Sequence, residues 1–198
     1  MKQVLSLLLC IYAFAKAESS NAQSSSPEKI EREYRIDEAA VPEEARDFIA
    51  SYRPTTRVKW IYEESAKGAS VEAKFKDGDG RQSIEFTPEG ELEDIEVVVD
   101  WGSVQDTIES TIKEFLKKTF DYYKVEKIQE QYVERKEVML AWRHTKKDDR
   151  TLRPKYELIV KSRNSGEKSQ RYEFLFDEDG NFVEKAKVVT RSDNILRF

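Results

Sequence analysis

The strongest constraint on this chain is that it repeats itself. Two segments patterned as β-hairpins register on one another at a spacing of 90 residues: Arg81 on Arg171, Ile84 on Phe174, Phe86 on Phe176, Glu89 on Asp179, Gly90 on Gly180, Leu92 on Phe182 and Val98-Val99 on Val188-Val189. The amphipathic helix patterns upstream register at the smaller spacing of 67, Phe48-Ile49 on Phe115-Leu116. The same helix-then-strands order twice over predicts duplication of one small unit. The second copy carries 23 extra residues, most around 135–153 and a few in the 162–169 loop.

Local signals fill in each copy. Val41-Pro42-Glu43-Glu44 is a helix start, with proline in the first turn and acidic residues at the positive end of the helix dipole. Ala45, Phe48, Ile49 and Tyr52 then recur at helical spacing, and Pro54 ends the run. Val58, Trp60 and Tyr62 alternate with charged residues, as do Val71, Ala73 and Phe75. Asp77-Gly78-Asp79-Gly80 is hairpin-turn chemistry, and a second turn follows at Pro88-Glu89-Gly90. In the second copy Ser103 and Asp106 resemble a capping box before a longer apolar stripe from Val104 to Phe120. Strand-like runs follow near 125–133, 138–142, 156–160, 172–176 and 182–189. The expected fold class is therefore α+β: two tandem units, each a helix packed on an antiparallel β-sheet.

A helix covers one face of a sheet, so the other face should be polar. The first copy obeys, with Lys59, Glu63, Glu72, Lys74, Lys76 and Glu85 opposite the apolar set. The second copy places Ile159 and Leu175 there, Leu175 standing where the first copy has Glu85. That face is expected to be covered: by the first copy, by the inserted segment with Met139 and Trp142, by a second protomer or by a partner. Cover from within the chain is the simplest of these. Trp142, Ile159 and Leu175 are the expected partner-binding residues.

Export is read from the first residues. Lys2 supplies the charged start, 4–14 is an apolar run, and Ala15-Lys16-Ala17 fits a small-x-small cleavage site, so 1–17 is expected to be a signal peptide. The run is shorter than the roughly 20 apolar residues a membrane-spanning helix needs. Cys10, the sole cysteine, lies inside this leader. Leu7-Leu8-Leu9-Cys10 faintly resembles a lipoprotein box, but Leu9 is bulky where a small residue is usual and the apolar run continues past the cysteine, which leaves lipidation as the lesser alternative. Residues 18–34 are Ser-rich and then charged, the composition of a flexible linker. The remaining expected boundaries are 35–100 for the first unit, 101–190 for the second with its insertion near 135–153, and 191–198 for a C-terminal tail. Loss of Lys2 and Lys16 takes the formal charge from −5 to −7, which disfavours nucleic acid.

Familiar catalytic and metal signatures are missing. Asp77-x-Asp79 and Asp177-x-Asp179-Gly180-Asn181 lack the oxygen ligands of a calcium loop at positions 5 and 12 or its glycine at 6. His144 is the only histidine and sits in a charged stretch, so neither a nucleophile triad nor a zinc cluster can form around it. No catalytic residue, metal ligand or cofactor is expected. Carboxylate pairs remain open, because 39 acidic residues must bring some together.

Three motifs stand together: a Val-Pro-started helix ending Phe48-x-x-x-Tyr52-x-Pro54, a strand containing Trp60, and a hairpin reading Ile84-Glu-Phe-Thr-Pro-Glu-Gly90-Glu-Leu92, echoed by Phe174-Leu-Phe-Asp-Glu-Asp-Gly180-Asn-Phe182. Over roughly residues 36–190 the chain resembles the PepSY-like, or beta-lactamase-inhibitor-like, family of secreted bacterial proteins. The resemblance implies a periplasmic or cell-surface binding module, inhibitor-like and without catalytic residues. The expectation is an exported, non-catalytic protein that binds a protein or peptide of the cell envelope through sheet face and loops. Two alternatives stay open: a small secreted hydrolase working through carboxylates, and a self-associating surface protein.

Overall fold

A computed structural model describes residues 28–29, 32–65, 68–78, 80–145 and 152–189. The expected leader with Cys10, the linker as far as residue 27, and the 191–198 tail lie outside the described residues. The strands are β1 (Glu28–Lys29), β2 (Arg32–Arg35), β3 (Lys59–Ser65), β4 (Gly68–Asp77), β5 (Gly80–Phe86), β6 (Leu92–Val98), β7 (Tyr122–Tyr132), β8 (Lys155–Arg163), β9 (Gln170–Phe176) and β10 (Phe182–Val188). The helices are α1 (Glu43–Tyr52), α2 (Asp106–Thr119) and α3 (Lys136–Thr145). Both β1 and the start of β2 fall within the stretch expected to be linker.

The expectation of two tandem helix-on-sheet units is overturned. β2 to β10 form one antiparallel meander, and β1 adds to β10 in parallel, giving a single ten-stranded sheet. The junction is β6 against β7, with Ile95 opposite Tyr132 and Val98 opposite Gln129. Separate units would each have left an unpaired strand edge there, and an exposed edge is a template for association. Pairing the two edges with each other removes that liability.

Two core clusters lie along this one sheet. α1 buries Ala45, Phe48, Ile49 and Tyr52 on Trp60, Phe75, Ile84 and Phe86, while α2 buries Ile108, Ile112 and Leu116 on Leu158, Val160, Phe174 and Phe176. Val99 packs against both. Ser103 does not cap α2: it lies in a short 3-10 turn, and the helix starts at Asp106 with no side-chain cap bond.

The insertion departs furthest from expectation. The strand expected near 138–142 is part of α3, whose Met139 is fully buried in the first core. Its residues (Lys, Glu, Met, Leu, Ala) are good helix formers, and a helix satisfies its own backbone where no sheet edge is free. Arg143 on α3 donates from Nε to the Tyr52 carbonyl at 3.1 Å and pairs with Asp77. The second half of the chain thus reaches back to close the core of the first.

Chain length adds a further constraint. β1 sits at one edge of the sheet beside β10, and β2 at the other beside β3. Lys29 and Arg32 are three residues apart, so at about 3.8 Å per Cα step the two edges lie within about 11 Å of each other. The sheet is therefore rolled. α1 and α2 pack on one face and turn Glu44, Asp47, Glu114 and Lys117 to water; a groove opens on the other, which is called the inner face.

The two hairpins that register in the sequence share one turn geometry. Thr87 Oγ1 accepts from the Glu89 and Glu91 amides, and Asp177 Oδ1 accepts from those of Asp179 and Asn181. Gly90 and Gly180 both adopt positive φ, 98° and 82°. A Cβ on Gly90 would stand 2.8 Å from Pro42 Cβ, and one on Gly180 3.0 Å from the Ile108 carbonyl oxygen. Each hairpin is thus locked against the start of a helix by a glycine. Gly90→Ala should destabilise the fold by about 1–3 kcal/mol, read as a lower denaturant midpoint, because strain and a fixed contact act together. Gly102→Ala, with open space around it, should leave the midpoint unchanged.

Candidate functional site

Strand alternation decides what lines the inner face. Glu72 on β4 stands directly opposite Glu85 on β5, and Glu85 directly opposite Asp94 on β6, with Glu96 two residues further along β6. Like charges facing each other across strands are destabilising. Here they are also removed from water: Glu72, Ser83, Asp94, Glu96 and Gln129 are buried on a face that no described helix covers.

The row is compensated unevenly. Lys74 Nζ lies 2.7 Å from Glu72 Oε2 and 2.9 Å from Glu33 Oε1, and Ser83 donates to Glu72. Burial works against the Lys74 charge, yet its two carboxylate neighbours hold its pKa above the ordinary lysine range. Across the β6–β7 junction Gln129 Nε2 donates to Glu96 Oε2 at 2.5 Å and Gln131 Nε2 to Asp94 Oδ2 at 2.9 Å. Glu85 receives neither. Burial first, then Asp94, Glu96, Glu72 and Glu63, push its pKa up to about 9. Burial and Glu96 push Asp94 up to about 7, against the Gln131 hydrogen bond.

Beside the acidic row lies a groove of about 520 Å³ across β3 to β7. Glu72, Ser83, Glu96 and Gln129 line it together with Arg57, Lys59, Lys76, Arg81 and Lys127. Among the described residues none of those five cations has a carboxylate partner. A net-acidic chain thus presents unpaired positive charge around one concavity.

The three expected partner-binding residues do not form one site. Ile159 faces Lys127 and Glu173, and Leu175 faces Glu157 and Glu184, all on the inner face, where both are half-buried. Trp142 packs on the outer side, against the first core and 5.1 Å from the Tyr132 ring. Of the possible covers for Ile159 and Leu175, the helical part of the insertion with Met139 and Trp142 is not one: it lies on the opposite face. His144 is exposed at the end of α3. The residues that do converge, Glu85, Asp94, Glu96 and Gln129, were not singled out. One signal was available: the tight turn from Asp77 to Gly80 alone sets Glu72 opposite Glu85.

No family model matches the chain, and no curated protein or solved structure does either. No helix among the described residues is long and apolar enough to cross a membrane.

The raised carboxyl pKa of Glu85 fixes a pH response. A carboxyl whose folded pKa exceeds its ordinary 4.5 contributes stability below that value and loses it as pH rises through about 9. Stability should fall over that interval. Glu85→Gln should flatten the decline and make the variant more stable than the parent at the alkaline end, read by thermal melts across pH. Equal slopes for parent and variant would show that Glu85 is ionised in the fold throughout.

Proposed function

We propose that this chain is an exported, non-catalytic binding protein, inhibitor-like in mode, that takes an acidic segment of a cell-envelope protein or peptide into the groove on its inner sheet face. The carrying observation is the set of five unpaired cations around a 520 Å³ concavity on a chain of net charge −5. Charge complementarity of this kind selects the partner's sign and speeds encounter. Lys59, Lys76, Arg81 and Lys127 are held on strands and Arg57 on the loop before β3, and Val98 and the stems of the long side chains offer apolar contact between them. The PepSY-like resemblance and the leader-like start of the sequence support the same reading and a periplasmic or surface location.

The acidic row favours a second reading, a carboxylate-dependent hydrolase, because Glu85 and Asp94 sit on a concave face with pKa values pushed apart. Glu85 and Asp94 stand directly opposite each other with Glu96 beside them, whereas the groove is ringed by cations, and the binding reading is preferred.

Fluorescence anisotropy with an Asp/Glu-rich peptide and its Asn/Gln counterpart tests it. The acidic peptide should bind, lose about tenfold in affinity between about 50 and about 200 mM salt, and fail to bind a Lys76→Glu/Arg81→Glu variant. Equal binding of both peptides, or of the variant and the parent, would contradict the assignment.

A further inference from the structure

Unpaired positive charge in the groove is concentrated in one row. Lys76 on β4 stands directly opposite Arg81 on β5, and the short turn from Asp77 to Gly80 fixes that pairing. Thr56 Oγ1 accepts the Lys76 amide at 3.1 Å and donates to the Lys76 carbonyl, which holds the neighbouring Arg57 beside Lys76. All three side chains are exposed and line the groove. Directly opposite residues have Cβ atoms about 4.5–5.5 Å apart, and like charges at that spacing are destabilising.

The next row along the same strands is neutralised. Lys59 faces Lys74 and Lys74 faces Ser83, and the Lys74 ammonium has both Glu72 and Glu33. Among the described residues no carboxylate serves Arg57, Lys76 or Arg81 in that way. Asp77, their nearest acidic neighbour on β4, accepts instead from Thr55, from the Gly78 amide and from Arg143. A chain with 39 acidic residues thus commits that carboxylate elsewhere and leaves three adjacent cations facing the groove.

We propose that Arg57, Lys76 and Arg81 are the anchor of the groove, and that the group they take is a phosphate monoester on the bound segment: a phosphorylated side chain flanked by acidic residues. A carboxylate offers two oxygens in one plane and a single charge. A phosphate monoester offers three terminal oxygens and a charge of about −1.5 to −2 at neutral pH. Three cations on adjacent segments can each meet one of those oxygens, and an arginine fork can meet two at once. Past this row the groove continues to Lys127 and Gln129 on β7, which gives room for the residues beside the phosphate and leaves Lys59 and Lys127 for their carboxylates. The assignment rests on the groove being the site for an acidic segment, and it adds which group anchors that segment.

Fluorescence anisotropy of the full chain with two Asp/Glu-rich peptides, alike except for phosphoserine or glutamate at one position, tests it at about 50 mM salt. The phosphoserine peptide should bind about tenfold tighter or more. Arg81→Lys keeps the charge and removes the fork, so it should lose most of that preference while binding the glutamate peptide as the parent does. Lys127→Gln, on the far side of the groove, should weaken both peptides alike and keep the preference. In the parent chain the phosphorus resonance of the phosphoserine should shift on binding, which reads the contact without any variant. Equal affinity for the two peptides, or no phosphorus shift, would overturn the phosphate anchor while leaving the groove as a site for acidic segments. Binding of neither peptide would overturn the groove reading as well. An unchanged preference in Arg81→Lys would overturn the assignment to this row. Inorganic phosphate binding as tightly as the phosphopeptide would overturn the assignment to a phosphorylated segment.

Discussion

Everything distinctive in this molecule depends on the pairing of β6 with β7. Four residue pairs, Ile95–Tyr132 to Val98–Gln129, turn two half-sheets into one. They remove two edges, and they set Gln129 and Gln131 from the second half against Glu96 and Asp94 from the first. The groove is built the same way, from first-half strands with Lys127 and Gln129 on its far side. Without the junction there would be two shallow, solvated faces. With it there is a concavity, and the carboxylates inside are desolvated.

Desolvation then dictates the electrostatics. Carboxylates on a flat, wet strand face interact weakly, but inside a rolled sheet their repulsion is poorly screened. The chain answers with an ammonium at Glu72 and with amide donors at Asp94 and Glu96, while Glu85 has only its crowded acidic neighbours. Such crowding favours the protonated form of Glu85. The outside of the roll follows ordinary rules: amphipathic helices cover an aromatic core, and α3 seals the end of the first cluster through Met139 and Arg143.

Much of the local structure was legible in the sequence. The Val41-Pro42 start and the Ala45, Phe48, Ile49, Tyr52 face mark α1, and the Gly90 and Gly180 hairpins, which register in sequence, share their hydrogen bonds. Alternation also placed Ile159 and Leu175 on the helix-free face. α3 was misread because Val138 to Trp142 is short and almost wholly apolar, and period alone does not separate strand from helix in such a run. The single sheet was missed because a repeat reports what each copy contains, not whether their edges meet. The roll rests on β1 and β2, a few charged residues that looked like linker. Once the roll was missed, Glu72, Glu85, Asp94 and Glu96 could only look like solvated surface.

β6–β7 is an interior junction of one cooperative sheet. Native-state hydrogen exchange at the β6 and β7 amides checks this: they should exchange only with global unfolding, as slowly as those of β4–β5 and β8–β9. Fast exchange at β6 and β7, with protection retained on either side, would mean that two independent sheets merely touch there.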